Sequence, residues 1–217
     1  MNAARKQANA GQPLSALLDG IAEVDTDVAV AGVATDSREV VEGGLFMAAV
    51  GHSSHGLNWL ADALERKPAA VAWQPGPGWA EPELPAGVVG VMVPSLARRV
   101  GVVADRFFDA PSADVAITAI TGTNGKTTTA HIVAQGGALV GEPTGEMGTL
   151  GFGTPQDMHS TALTTPDAVT VHRNIASLRD AGIRRLAMEV SSHGLDQGRV
   201  TGVRFDTAVF TNLSRDH

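Results

Sequence analysis

Four residues in the run VAITAITGTNGKTTT (Val115–Thr129) have the types and spacing of a phosphate-holding loop: Gly122, Gly125, Lys126 and Thr127. Glycines let successive backbone N–H groups turn onto one anion at a helix N-terminus, where the helix dipole adds favourable potential. A lysine at this point is placed for β- and γ-phosphates, and the next hydroxyl for a magnesium ion. The strict signature G-x-x-x-x-G-K-[ST] would begin one turn earlier, where this chain has Ile120. Ile120 ends an apolar run, so it reads as a strand residue packed in a sheet. T-G-T-N-G-K-T-T is then a coherent site of a shorter make.

Magnesium at such a loop takes a carboxylate from the tip of a neighbouring strand. Glu189 closes the apolar part of RRLAMEVSSHG. A lone carboxylate at a buried strand end is expensive, and metal coordination would compensate it; the competing reading is an edge salt bridge. His217 follows another apolar run, in VFTNLSRDH, and could reach the same crevice outside the strand ends. Other polar groups are weaker. Ser191-Ser192-His193 places neighbours that rarely face each other, and no G-x-S-x-G elbow is present. His52 and His55 have metal-like spacing without a third ligand nearby, which favours a loop role. His131, His159 and His172 read as helix-face or loop residues, and Trp59, Trp73 and Trp79 lie too far apart for a stacking platform.

The elements that must position these residues fall into two segments that meet near Pro111. Before it, Gly44–Val50, Ala69–Trp73 and Gly87–Val93 are short apolar runs bounded by Gly and Pro, and they read as strands. GLNWLADALERK has Leu57, Leu60, Ala61 and Leu64 at helical spacing. Pro94 is expected to open a further helix with Leu96, Val100, Val103 and Phe107 on one face. The proline-rich stretch Gln74–Pro85 reads as a surface loop. After the linker DAPSAD come a buried strand (Val115–Ile120), the glycine loop and a helix from about Lys126. A second helix is expected with Thr165 as N-cap and Pro166 at its first position, its apolar face being Ala168, Val171, Ile175 and Leu178. Two more strands, Arg185–Val190 and Thr207–Thr211, complete a βαβ pattern with a parallel sheet. The fold class is therefore α/β: a small N-terminal α/β domain over residues 1–110, then a P-loop parallel-sheet domain over residues 111–217. The chain stops directly after a strand, so the second domain is expected to be truncated.

Composition excludes several classes. A net charge of −7 with scattered Lys and Arg leaves no basic stripe for a nucleic acid. Without cysteine there are no disulfides, thiolate nucleophiles or Cys-based zinc sites. No apolar run approaches the length of a membrane span, and the N-terminus lacks the layout of a secretory signal. A cytoplasmic enzyme fits this profile.

TGTNGKTTT, LTTPDA, AMEVSSHGLDQGRV and FTNLSRDH together closely resemble the Mur ligases of peptidoglycan synthesis, and DSREVVEGGLFMAAVGHSSHG resembles their UDP-binding segment. The shorter GTNGKT loop is that family's own form. TTPDA with MEVSSHGL points to the branch that adds a diamino acid, diaminopimelate or lysine, to the UDP-N-acetylmuramoyl dipeptide. The resemblance implies ATP-dependent amide formation through an acyl phosphate by a monomeric enzyme. It implies that Gly122, Thr123, Asn124, Gly125, Lys126, Thr127 and Thr128 hold ATP, that Thr127 and Glu189 hold one Mg2+, and that His217 holds a second. It places Ser37, His52 and Ser53 on the UDP moiety, and Thr164, Thr165, Ser191, Gln197 and Arg199 on the muramoyl peptide. This chain has His55-Gly56 where family members carry Asp-Gly. The family's carbamylated lysine and C-terminal domain fall beyond His217, so this piece alone is expected to be inactive. The alternatives are a non-catalytic UDP-sugar-binding module, a folylpolyglutamate-synthetase-like ligase, which the DSR segment argues against, and an unrelated P-loop kinase or GTPase, for which no N-K-x-D guanine reader exists.

Overall fold

The structure is a computed structural model that describes residues 11–51 and 54–214. His52, Ser53 and His217, three of the expected site residues, lie outside the described residues. The chain packs as two compact units divided between Phe107 and Phe108.

In the first unit, β1 (Gln12–Pro13) leads into α1 (Leu14–Leu18) and pairs antiparallel with β2 (Ala29–Val30). A separate parallel sheet follows in simple chain order: β3 (Val33–Ala34), β4 (Leu45–Ala48), β5 (Ala70–Trp73) and β6 (Val89–Met92). The two central strands read LFMA and AVAW and are buried at every position, as expected for parallel strands covered on both faces. α2 (Leu60–Glu65) crosses between β4 and β5 after a 3-10 turn over Gly56–Trp59. Ala63 is buried, and Leu57, Leu60 and Leu64 pack on a core of Phe46, Val71 and Trp73.

α3 (Val100–Phe107) closes this unit. It does not open at Pro94, as its sequence suggested. Ser95 takes a left-handed conformation (φ 56°), and a 3-10 turn over Leu96–Arg98 intervenes. The Gln74 side chain holds that turn, its Oε1 accepting from the Ala97 N–H at 2.9 Å. The expected apolar face survives the break, because Leu96, Val100, Val103 and Phe107 are all buried.

The second unit is built on one six-stranded sheet. β7 (Ala116–Thr121) feeds α4 (Lys126–Leu139), and β8 (Thr144–Gly148), β9 (Gly151–Thr154) and β10 (Asp157–His159) form a meander. α5 (Ala168–Asp180), β11 (Arg185–Glu189), α6 (Ser192–Asp196) and β12 (Thr207–Phe210) follow. The strand order is β10-β9-β8-β11-β7-β12, parallel across β8, β11, β7 and β12 and antiparallel through the meander. The parallel core is the expected one; the antiparallel edge is not legible in the sequence. His159, read as a helix or loop residue, sits on that edge in β10. α5 packs its Val171, Ile175 and Leu178 against Ile117, Leu186 and Met188 in the main core. α4 covers the opposite face through Ala130, against Ile120 and Ala187.

The cap of α5 also differs from expectation. Asp167, not Thr165, is the N-cap, its side chain accepting from Thr170 N–H at 3.1 Å. A cap is the residue whose side chain meets the N–H two or three residues on, and only Asp167 does so here. The expected stop is found: Ala181 is the C-cap and Gly182 has φ 89°.

Candidate functional site

β7 and α4 set the glycine loop at the carboxyl end of the sheet. Ile120 is fully buried, as its place in the strand requires. Gly122 has φ 126°, and a Cβ there would collide with the Thr211 hydroxyl and the Asn212 backbone. Only glycine fits. Gly125 is the N-cap of α4 in a left-handed conformation, and no side chain caps it. The first-turn amides of the helix, starting at Lys126, have no partner within the helix and point where an anion would sit.

The segment after β12 braces the loop. The Thr123 N–H donates to Asn212 O at 3.1 Å, and the Asn124 N–H to Asn212 Oδ1 at 3.1 Å. Asn124 O in turn accepts from Thr211 Oγ1 at 2.7 Å and from Asn212 Nδ2 at 2.9 Å. Thr123 Oγ1 donates to Ser214 O at 3.0 Å. Thr211 and Asn212 were not singled out from the sequence. The signal available was their position, directly after a strand parallel to the one that feeds the loop. Lys126 folds back over the turn, its Nζ donating to Gly122 O at 2.7 Å and Thr123 O at 3.0 Å. An ammonium has three donors, so one remains for a phosphate oxygen.

Glu189 ends β11, the strand next to β7, and its side chain reaches the loop. Its Oε2 accepts from Thr127 Oγ1 at 2.9 Å, and its Oε1 from the Thr149 N–H at 2.8 Å. The carboxylate is 0 % exposed, yet all its donors are neutral and no ion pair among the described residues reaches it. The edge salt bridge is therefore not what the structure shows. A buried carboxylate held beside a hydroxyl by neutral donors is an all-oxygen set that suits a magnesium ion. Gly148 makes room for it: a Cβ at that position would fall on the Glu189 carboxylate. Gly148 and Thr149 were missed in the sequence; a Gly-Thr pair closing a short strand was the available signal.

Behind Glu189, the remaining expected residues of this unit join one network. Thr165 is buried, its hydroxyl donating to Glu189 O at 3.2 Å while accepting from Ser191 N–H at 3.1 Å. Ser191 caps α6 by accepting from the Gly194 N–H at 3.0 Å. Thr164 Oγ1 lies 2.9 Å from Thr149 Oγ1. Arg199 donates to Thr165 O at 2.7 Å and to Gln197 Oε1 at 2.6 Å. Both acceptors are neutral, so no carboxylate among the described residues neutralises that guanidinium. Thr128, beside Thr127, lies in the first turn of α4.

α4 places a further pair below the loop. His131, one turn on from Thr127, has its Nδ1 2.8 Å from Oε2 of Glu146, a carboxylate fully buried in β8. His172 is likewise buried, with its Nε2 2.9 Å from Thr201 O. His131 thus ties α4 to β8, and His172 ties α5 to the segment after α6.

In the first unit, Ser37 is buried and begins the 3-10 turn Ser37–Glu39, which Asp36 caps by accepting from Arg38 N–H at 2.9 Å. The Arg38 guanidinium, hydrogen-bonded to Asp36, holds that carboxyl below the usual carboxylate range. His55 explains its own departure from Asp. Its Nδ1 accepts from the Leu57 N–H at 3.0 Å, the capping job a carboxylate oxygen would do, and its Nε2 lies 3.0 Å from Gln74 O. Since Nδ1 accepts, Nε2 carries the proton. The ring stacks on Trp79 at 4.3 Å, tying the proline-rich loop down.

Residues 120–217 match the Mur ligase middle domain. Over 204 residues the chain is 47% identical to the UDP-N-acetylmuramoyl-L-alanyl-D-glutamate–2,6-diaminopimelate ligase of Xanthomonas campestris, covering 94% of this chain and 40% of that protein. The ligase of the same name from Xylella fastidiosa is 43% identical over 205 residues, with 94% and 41% covered. A solved structure of a ligase of that name superposes with a TM-score of 0.78 at 29% identity, over 95% of this chain and 41% of the other. The chain thus spans about 40% of the length of the curated relatives it matches.

Proposed function

This chain belongs to the Mur ligase family, and on that premise we propose that it forms the substrate- and nucleotide-binding part of an ATP-dependent ligase of peptidoglycan synthesis. The ligase joins a diamino acid to UDP-N-acetylmuramoyl-L-alanyl-D-glutamate. Diaminopimelate is the better-supported amine, because the relatives' names carry it. The observation that carries the reading is the buried Glu189 carboxylate 2.9 Å from the Thr127 hydroxyl, at the foot of the glycine loop.

The chemistry brings two anions together: the D-glutamyl γ-carboxylate must attack the γ-phosphate of ATP. The loop Gly122–Thr128 holds the triphosphate, with the backbone amides from Gly125 onward and the α4 dipole facing the anion, and Lys126 supplies a mobile positive charge as the phosphoryl group transfers. Thr127 and Glu189 would hold one Mg2+ and His217 a second; such ions neutralise charge on the transferring phosphoryl group. Attack gives an acyl phosphate and releases ADP, and the amine of the diamino acid then displaces inorganic phosphate through a tetrahedral intermediate. Thr164, Thr165, Ser191, Gln197 and Arg199 take the muramoyl-peptide portion, with Arg199 facing its negative charge unneutralised. Ser37, His52 and Ser53 take the UDP portion, so residues 1–110 serve as the UDP-substrate domain and 111–217 as the ATP domain.

The complete ligase works as a monomer in the cytoplasm, and no described helix is long and apolar enough to cross a membrane. Phosphate release by the ligase, assayed with ATP, the UDP-muramoyl dipeptide and either diaminopimelate or lysine, tests the assignment. Release that depends on both dipeptide and diamino acid supports it. No release with either amine removes it.

A further inference from the structure

We infer that Thr149 is a positioning residue whose hydroxyl couples the metal-holding carboxylate Glu189 to the substrate-binding hydroxyl of Thr164. The inference rests on the roles proposed above for Glu189 and Thr164. Thr149 follows β8 directly, and its backbone is fixed by the N–H bond to Glu189 Oε1 at 2.8 Å. Its hydroxyl lies between two partners: Glu189 Oε2 at 3.4 Å and Thr164 Oγ1 at 2.9 Å.

A hydroxyl has one proton to give, while an ionised carboxylate only accepts. A bond from the Thr149 hydroxyl to Glu189 therefore spends its one proton on Oε2. Thr149 must then accept from Thr164, which turns the Thr164 proton inward, away from an incoming ligand. The contact to Oε2 is the longest in the set, and Oε2 already takes the Thr127 hydroxyl at 2.9 Å. Positive charge placed on Oε2 weakens it as an acceptor, so this bond gives way first. Thr149 can then donate to Thr164, and Thr164 can donate outward to an anionic oxygen of the substrate. An acidic dipeptide gains one charge-assisted hydrogen bond when the cation side of Glu189 is engaged.

Coupling of this kind is reciprocal. One such charge-assisted hydrogen bond is worth about ten- to a hundredfold in affinity. Titration calorimetry on the ligase reads it directly: the Kd for the UDP-muramoyl dipeptide is measured with and without Mg2+ and a non-hydrolysable ATP analogue, and then the reverse. Wild type should show tightening of at least about tenfold in both directions. Thr149→Val keeps the N–H to Glu189 and the side-chain shape but should lose the tightening; Thr149→Ser should retain it. Thr164→Val interrupts the same chain from the other end, and the double variant should lose no more coupling than either single one. Full coupling in folded Thr149→Val overturns the inference, as does its absence from wild type that binds both ligands. Wild type that binds neither ligand would overturn the ligase reading itself, a separate result.

Discussion

Glu189→Gln separates a metal-holding carboxylate from a structural one. The side chain is fully buried, and its three donor contacts are all neutral. Burying an unpaired carboxylate costs several kcal/mol, of which hydrogen bonds to a charged acceptor return ~1.5–3 kcal/mol each. Gln has the same shape, can still accept from Thr149 N–H and can donate to Thr127 Oγ1, with no charge to desolvate. Without magnesium, the variant should be as stable as wild type or more stable by up to ~2 kcal/mol. At ~2–4 °C per kcal/mol for a protein of this size, its Tm should be unchanged or raised by a few degrees. Nucleotide reverses the order. Mg-ATP at a hundred times its Kd stabilises wild type by ~2.7 kcal/mol, a rise of roughly 5–10 °C. If the lost ligand weakens binding by about a hundredfold, the same concentration stabilises the variant by only ~0.4 kcal/mol, roughly 1 °C. Thermal unfolding with and without Mg2+ and ATP measures both effects. A variant that keeps the magnesium-dependent rise, or that loses several kcal/mol without ligand, would refute the reasoning.

Three further outcomes follow from the same geometry. Lys126→Ala should abolish turnover and weaken ATP binding while leaving the Kd for the UDP-muramoyl dipeptide within about twofold, since the phosphate loop and Ser37 belong to different units; equal loss of both, by calorimetry, would contradict this. Gly148→Ala should cost about 1–3 kcal/mol in denaturant unfolding through overpacking and blunt the magnesium response, because its methyl would displace Glu189. Asp36→Ala should cost about 1 kcal/mol at pH 7 by removing a cap. Arg38 lowers the Asp36 pKa from the ordinary 3.8, so its contribution is full above that value and is lost as pH falls through the lower folded one. Stability curves of wild type and variant should therefore converge below about pH 4; a constant gap would sink the assignment.

The sequence disclosed whatever depended on local backbone chemistry. The glycine loop needs particular residues at particular offsets. Glu189 stood out because an acid at the end of an apolar strand has no cheap structural explanation. Covered parallel strands such as LFMA and AVAW announce themselves as unbroken apolar runs. What stayed hidden is what tertiary neighbours decide. TGEMG of β8 has two glycines and an acid, a poor strand by propensity. It is buried at every position because α4 packs on it and β11 lies beside it. Gly148 reads as a turn residue until the Glu189 carboxylate is seen in the space a Cβ would take. Thr165 before Pro166 looks like a helix cap, but its hydroxyl is spent between Glu189 O and Ser191 N, leaving the cap to Asp167. His55 looks like a lost Asp until its Nδ1 is found doing the same capping.

The most direct test of the account is anomalous diffraction from crystals of the protein grown with Mn2+ and a non-hydrolysable ATP analogue. A manganese peak bonded to Thr127 Oγ1 and a Glu189 carboxylate oxygen is expected, with β- and γ-phosphates on the backbone amides from Gly125 to Thr128, since the Thr123 and Asn124 N–H groups are taken by Asn212. Nucleotide bound elsewhere, or manganese that leaves Glu189 with only its neutral donors, would contradict it.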